Sequence, residues 1–184
     1  VAPDCLVRPS GKSVGATSKS NAAMIRRATQ SDLDGLLDLY AYLSPNDAPL
    51  PPRPQVIDLW RDMLTNPMLT TVVADCAGQL ASACNLTVVP NLTRGARPFA
   101  VIENVITHPN FRRQGLASAV LKQAIGIARQ ANCYKVMLLS GVGRKQAHAL
   151  YEKLGFERDT KVGFDLRLAA AQRQNRGASY DVRS

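Results

Sequence analysis

Residues 99–131 constrain this chain more than any other part of it. Residues 99–107, FAVIENVIT, are almost all apolar, as suits a central strand covered on both faces. The strand pattern passes through His108-Pro109 and a turn with two arginines into a long helical pattern over residues 115–131, where Leu116, Ala119, Val120, Ala124, Ile127 and Ala128 share one face. The first N–H groups of a helix have no intrahelical partner and lie at the positive end of its dipole. Arg112, Arg113, Gln114, Gly115, Leu116, Ala117 and Ser118 are therefore candidates to cradle an anion, a pyrophosphate above all. Gly115 lets the backbone come close to such a ligand, and Ala117 keeps the wall low. The alternative is an ordinary strand-to-helix connection carrying two solvated arginines.

Around this junction the apolar period changes type repeatedly. A short strand over 24–29 is followed by a helix capped by Ser31, with Leu33, Leu36, Leu37 and Tyr40 on its inner face. A stiff proline-rich loop over 44–54 leads to a second helix over 55–64, stopped by Asn66-Pro67. Strands are expected over 69–75 and 79–89, and again over 134–139. A short helix over 145–154 ends at Gly155, and a final strand covers 161–168. The order β-α-α-β-β-β-α-β-α-β predicts an α/β domain with a mixed, mainly antiparallel central sheet flanked by helices.

Composition bounds the rest. The chain has 184 residues, 46% hydrophobic and 20% charged, so it can bury a single-domain core without a structural metal. Residues 1–23 are rich in Ser, Gly, Ala and Pro without apolar period and are expected to be a disordered leader. The domain is expected over 24–168, with a basic tail over 169–184. Cys5, Cys76, Cys84 and Cys133 form no C-x-x-C pair and the histidines are only His108 and His148, which argues against a metal site. Free thiols and a cytoplasmic location are expected, because no apolar h-region and no run of roughly 18 apolar residues is present.

The net charge of +9 invites a nucleic-acid reading. The two ends, 1–23 and 169–184, each hold a net +2, which leaves +5 for the domain. No helix-turn-helix, aromatic RNA-binding strand or basic helix accompanies it, and neither a nucleic-acid nor a membrane partner is expected.

Arg112-Arg113-Gln114-Gly115-Leu116-Ala117 fits a [Q/R]-x-x-G-x-[G/A] signature, and residues 148–156, HALYEKLGF, supply an aromatic-bearing helix followed by Gly-Phe. In these two motifs, in this order, the chain resembles the GNAT superfamily of N-acetyltransferases. The wording of Glu103-Asn104-Val105-Ile106 and Cys133-Tyr134-Lys135-Val136 is similar to the branch that contains glucosamine-phosphate acetyltransferases. The resemblance implies acetyl-CoA as co-substrate, its pyrophosphate on the amides of 113–118. Its pantetheine arm would then pair with the backbone of Val105, Ile106 and Thr107, where the family's strand splays from the next one. It also implies a homodimer.

Glu103 is the base candidate from the residues themselves. It is the only carboxylate on an apolar strand, so it must be desolvated, paired or facing a cleft, and desolvation favours a useful base. A structural carboxylate is the competing reading. Tyr151 shares helical spacing with Ala147, Leu150 and Leu154, which by itself reads as core packing. The resemblance implies that it is the acid for the departing thiolate. Cys84 and Cys133 read as packing residues, with none placed for a covalent intermediate. His148 is expected to face solvent.

Two positions depart from the family pattern. Arg144 stands where many relatives carry the asparagine that contacts the pantetheine arm, so that contact is either absent or replaced by a phosphate contact. Leu139 and Ser140 stand where some relatives carry a carboxylate. The expected activity is direct acetyl transfer to a primary amine of a small molecule in a ternary complex. Acetylation of a protein N-terminus or lysine and a non-catalytic CoA-binding sensor are the alternatives.

Overall fold

The computed structural model describes residues 6–7 and 22–168. Its sheet has the order β1-β2-β3-β4-β5-β6. These strands are β1 (Leu6–Val7), β2 (Ala22–Arg27), β3 (Leu69–Cys76), β4 (Gln79–Val89), β5 (Phe99–Thr107) and β6 (Val136–Met137). Pairing is antiparallel from β2 through β5 and parallel at both ends, which is the mixed sheet expected from the element order. The helices are α1 (Leu33–Leu43), α2 (Arg53–Thr65), the single turn α3 (Thr93–Ala96), α4 (Leu116–Gln130) and α5 (Lys145–Lys153).

Strand alternation divides the core in two. Val72, Cys84, Leu86, Ala100 and Ile102 face α4 and α5, meeting Leu116, Val120, Leu121, Ala124 and Tyr151. Val73, Leu80, Ala83 and Ile106 face α1 and α2, meeting Leu33, Leu36, Leu39, Val56 and Trp60. Ile102 and Ile106 lie four residues apart yet face opposite sides, which an uninterrupted strand cannot achieve. A β-bulge accounts for it. Asn85 pairs with Glu103 and Ala83 with Ile106, so β5 carries one extra residue there, and Asn104 takes the left-handed conformation at φ 53°. Asparagine tolerates that region better than most side chains.

Several expectations are corrected. The capping residue is Thr29, not Ser31, and it opens a 3-10 turn, Gln30–Asp32, that leads into α1: the Thr29 N–H and hydroxyl donate to Asp32 Oδ2 at 2.6 and 2.9 Å. Asp32 is buried and ion-paired with Arg26 at 2.6 Å, so the capping carboxylate also ties β2 to the start of α1. Residues 161–168 form no strand. They are exposed and pair with no edge among the described residues, although Val162, Phe164, Leu166 and Leu168 keep the two-residue apolar period. Of the strand expected over 134–139, only Val136–Met137 pairs.

Cys84 and Cys133 are free, but Cys76 is disulfide-bonded, which removes the support that four free thiols lent to a reducing compartment. Leu6 and Val7 pair with Ala22 and Ala23 inside the expected leader. The remainder of that leader and the expected tail over 169–184 lie outside the described residues. Among the described residues no helix is long and apolar enough to cross a membrane.

Candidate active site

The junction between β5 and α4 is held from within. Phe111 and Leu116 are each 1% exposed and anchor the two ends of the turn in the core, each contributing about 2 kcal/mol. Between them Arg112 and Arg113 are exposed, and Arg113 and Gly115 take positive φ values of 63° and 79°. The first helical bond of α4 is the Ala119 N–H to the Gly115 carbonyl at 3.0 Å, and no side chain caps the helix. The N–H groups of Leu116, Ala117 and Ser118 therefore precede the first intrahelical bond and remain available to a ligand. A Cβ at Gly115 would meet nothing within 4 Å, so the space beside Gly115 is open. Arg112 leans back toward the Thr107 carbonyl, with Nε at 3.5 Å.

Along β5 the sheet opens. β6 pairs with Ala100 and Val101 only, so past Val101 the β6-facing edge of β5 has no strand partner among the described residues. Val105, Ile106 and Thr107 lie on this stretch, which leads directly into the α4 turn. The open edge of β5 and the turn into α4 are thus continuous.

Tyr151 lies on α5, within electrostatic reach of Glu103 on β5. It is buried in the core, as its helical spacing suggested, and burial raises its phenol above the ordinary value. Arg144 acts in the opposite direction on the phenol, while Cys84 and Glu103 add to the rise, which brings both Arg144 and Glu103 into its electrostatic neighbourhood. A tyrosine kept protonated suits a proton donor. Arg144 sits at the N-terminal boundary of α5, its side chain 3.9 Å from a Cβ built on Gly141.

Glu103 is exposed beside the bulge. Desolvation is therefore not what recommends it as a base. The opening beside β5 and the proximity to Tyr151 are what remain. Burial pushes the Cys84 thiol up to about 12, and Cys84 packs with its sulfur 3.7 Å from the Val120 carbonyl. Burial also raises the Cys133 thiol, so neither is a poised nucleophile. His148 is half-buried rather than solvent-facing, with Nε2 3.0 Å from the Gly141 carbonyl, and holds the loop before α5.

Three nearby groups have no role assigned to them by the sequence. Asn104 shapes the bulge, and an asparagine in an apolar strand was its only signal. Asn85, buried on β4, accepts from Thr71 Oγ1 at 2.9 Å and from the Tyr40 hydroxyl at 3.3 Å. Ser140 Oγ is buried without a hydrogen-bond partner among the described residues, three positions past the last paired residue of β6. A separate cavity of about 460 Å³ lies between α1 and the β3–β4 turn, lined in part by Asp38, Tyr42, Gln79 and His108; neither Glu103 nor Tyr151 borders it. Among the described residues no group of three or more His, Cys, Asp or Glu side chains could hold a metal.

Comparison with known proteins gives the family. Residues 36–156 match the family model described as Acetyltransferase (GNAT) family. The glucosamine 6-phosphate N-acetyltransferase of Trypanosoma brucei brucei is 31% identical over 134 residues, covering 72% of this chain and 87% of that protein. A solved structure from Agrobacterium tumefaciens str. C58, described as an acetyltransferase, is 43% identical with a TM-score of 0.74, covering 79% of this chain and 99% of that one. The glucosamine-6-phosphate N-acetyltransferase structure from Arabidopsis thaliana has a TM-score of 0.71 at 20% identity, covering 80% of this chain and 99% of its own, and shares the fold. With a matching family model over most of the domain and the strand-to-helix junction in its expected place, the chain belongs to the GNAT family of acetyltransferases.

Proposed function

We propose that the protein transfers the acetyl group of acetyl-CoA to a primary amine of a small molecule, by direct attack within a ternary complex. The observation that carries this reading is the continuous path from the open edge of β5 to the free N–H groups at the start of α4, with Tyr151 in electrostatic reach of Glu103 on that strand. In this reading the pyrophosphate rests on the amides of Arg113 to Ser118, with Arg112 and Arg144 supplying positive charge. The pantetheine arm adds to the edge of β5 along Val105, Ile106 and Thr107. The amine nitrogen attacks the thioester carbonyl, and a backbone N–H of the splayed strand stabilises the oxyanion. The carbon–sulfur bond then breaks, Tyr151 donates its proton to the thiolate, and Glu103 takes the proton of the amine directly or through water.

The small-molecule class is supported by the name of the Trypanosoma relative, which acts on glucosamine 6-phosphate. Self-association into a homodimer is supported by the exposed apolar row Val162, Phe164, Leu166 and Leu168, and light scattering tests it. The activity is tested by an amine panel with detection of released thiol, beside calorimetric titration of coenzyme A. Acetylation of small amines is the expected result. Turnover restricted to peptides would move the acceptor to the protein class, and binding without any turnover would leave a sensor.

A further inference from the structure

Thr71 on β3, Asn85 on β4 and Glu103 on β5 form one row across three strands, since Thr71 pairs with Asn85 and Asn85 with Glu103. Side chains directly opposite each other in an antiparallel pair share a face, with Cβ atoms about 4.5–5.5 Å apart. The row grades from closed to open: Thr71 is 6% exposed, Asn85 8%, and Glu103 is exposed. Asn85 Oδ1 accepts from Thr71 Oγ1 at 2.9 Å on the β3 side and from the Tyr40 hydroxyl of α1 at 3.3 Å. The Thr71 bond holds that oxygen on the β3 side, so the NH2 group at the other end of the carboxamide lies away from β3. One N–H of Asn85 Nδ2 lies toward the Tyr40 oxygen, since the Asn85 contact lowers that phenol, and no hydrogen bond takes up the other among the described residues. A pre-aimed donor thus lies opposite the carboxylate of Glu103.

We propose that Asn85 is a specificity-determining residue of the acceptor side, donating an N–H to an oxygen of the amine substrate while Glu103 engages the nitrogen. This rests on the acetyl-transfer reading above. The separation across the pair fits an amine that carries a hydrogen-bond-accepting oxygen within a few bonds of its nitrogen, and disfavours a plain alkylamine. A fixed donor left without a partner makes the oxygen-free analogue the poorer substrate.

Ethanolamine and propylamine, nearly identical in size, test this at saturating acetyl-CoA. Wild-type protein is expected to favour ethanolamine about tenfold or more in kcat/KM. Asn85→Asp keeps an oxygen for Thr71 and Tyr40 but loses the donor, and is expected to bring the ratio near unity. Its added charge acts on the nitrogen common to both amines, so the ratio isolates the oxygen contact. Thr71→Val leaves the donor but loosens its aim, and is expected to give an intermediate ratio. An unchanged ratio in Asn85→Asp, whether or not its melting temperature falls, overturns the inference and leaves Asn85 structural; so does a wild-type ratio of one. Wild-type protein that binds coenzyme A but acetylates no amine of a broad panel overturns the acetyl-transfer reading instead, and this inference with it.

Discussion

The ring of Phe156 meets that of Tyr151 edge to face, with centroids 6.0 Å apart and planes at 68°. The contact is made by the turn that ends α5, where Gly155 takes φ 89° and the Phe156 N–H returns to the Tyr151 carbonyl at 3.0 Å. The Gly-Phe pair that closes the second sequence motif therefore fixes the ring whose hydroxyl the proposed chemistry needs.

Because the ring does the packing and the hydroxyl the proton transfer, Tyr151→Phe should separate them. Stability and coenzyme A affinity are expected to stay close to wild type, while kcat falls about 10–100-fold. Steady-state kinetics beside calorimetry measure both, and an unaltered kcat would make Tyr151 a packing residue only.

Arg144 should set where activity is lost in alkali. Burial raises the Tyr151 phenol and Arg144 lowers it, so removing the cation in Arg144→Gln raises the phenol further. The active form is the protonated one, and the alkaline limb of the kcat profile is expected to move to higher pH. A limb that stays in place would sink the assignment of Tyr151 as the acid.

At Gly115, glutamate would put both a strained positive φ and a negative charge in front of the free N–H groups of α4. Since nothing lies within 4 Å of the new Cβ, the domain should still fold, at a cost of about 1 kcal/mol. Coenzyme A affinity is expected to fall at least about 100-fold, counting roughly 3 kcal/mol for lost and repelled charge-assisted hydrogen bonds. Undiminished affinity by calorimetry would displace the pyrophosphate from this helix.

Glu103→Gln keeps the shape of the exposed side chain and removes its capacity to take a proton. The kcat should fall about 10–100-fold, with coenzyme A affinity retained. An unchanged kcat would assign the base role to solvent.

The Arg26–Asp32 pair governs acid stability. The Arg26 guanidinium and the Thr29 donors hold the Asp32 carboxyl at about 2, below its ordinary 3.8, so the folded state prefers the ionised form. Stability from this group is fully present above pH 3.8 and is lost as pH falls toward about 2, a difference of roughly 2 kcal/mol. Asp32→Asn should lower the melting temperature at pH 7 and flatten its decline across that window. Parallel melting curves of variant and wild type would show that the pair contributes nothing.

Much of this was legible because it is local. The junction from Phe111 to Ser118 could be read from apolar period, arginines and one glycine, since helix N-termini are set by neighbours in sequence. Thr29 displaced Ser31 as the cap because Asp32 answered to Arg26 on the neighbouring strand, a partner six residues away that period alone does not mark. Residues 161–168 kept a strand's alternation but met no edge, and alternation cannot supply one.

The sequence by itself determined the class of sheet, the strand-to-helix turn and the family, each carried by short-range periodicity or by residues a few positions apart. Only the tertiary structure decided where Glu103 faces, how Asn85 is aimed and which face Ile106 covers. Those depend on the register of β4 against β5, and a single extra residue at Asn104 turns the strand after it through one pleat. A bulge is settled by pairing between strands, so no window along one strand contains it.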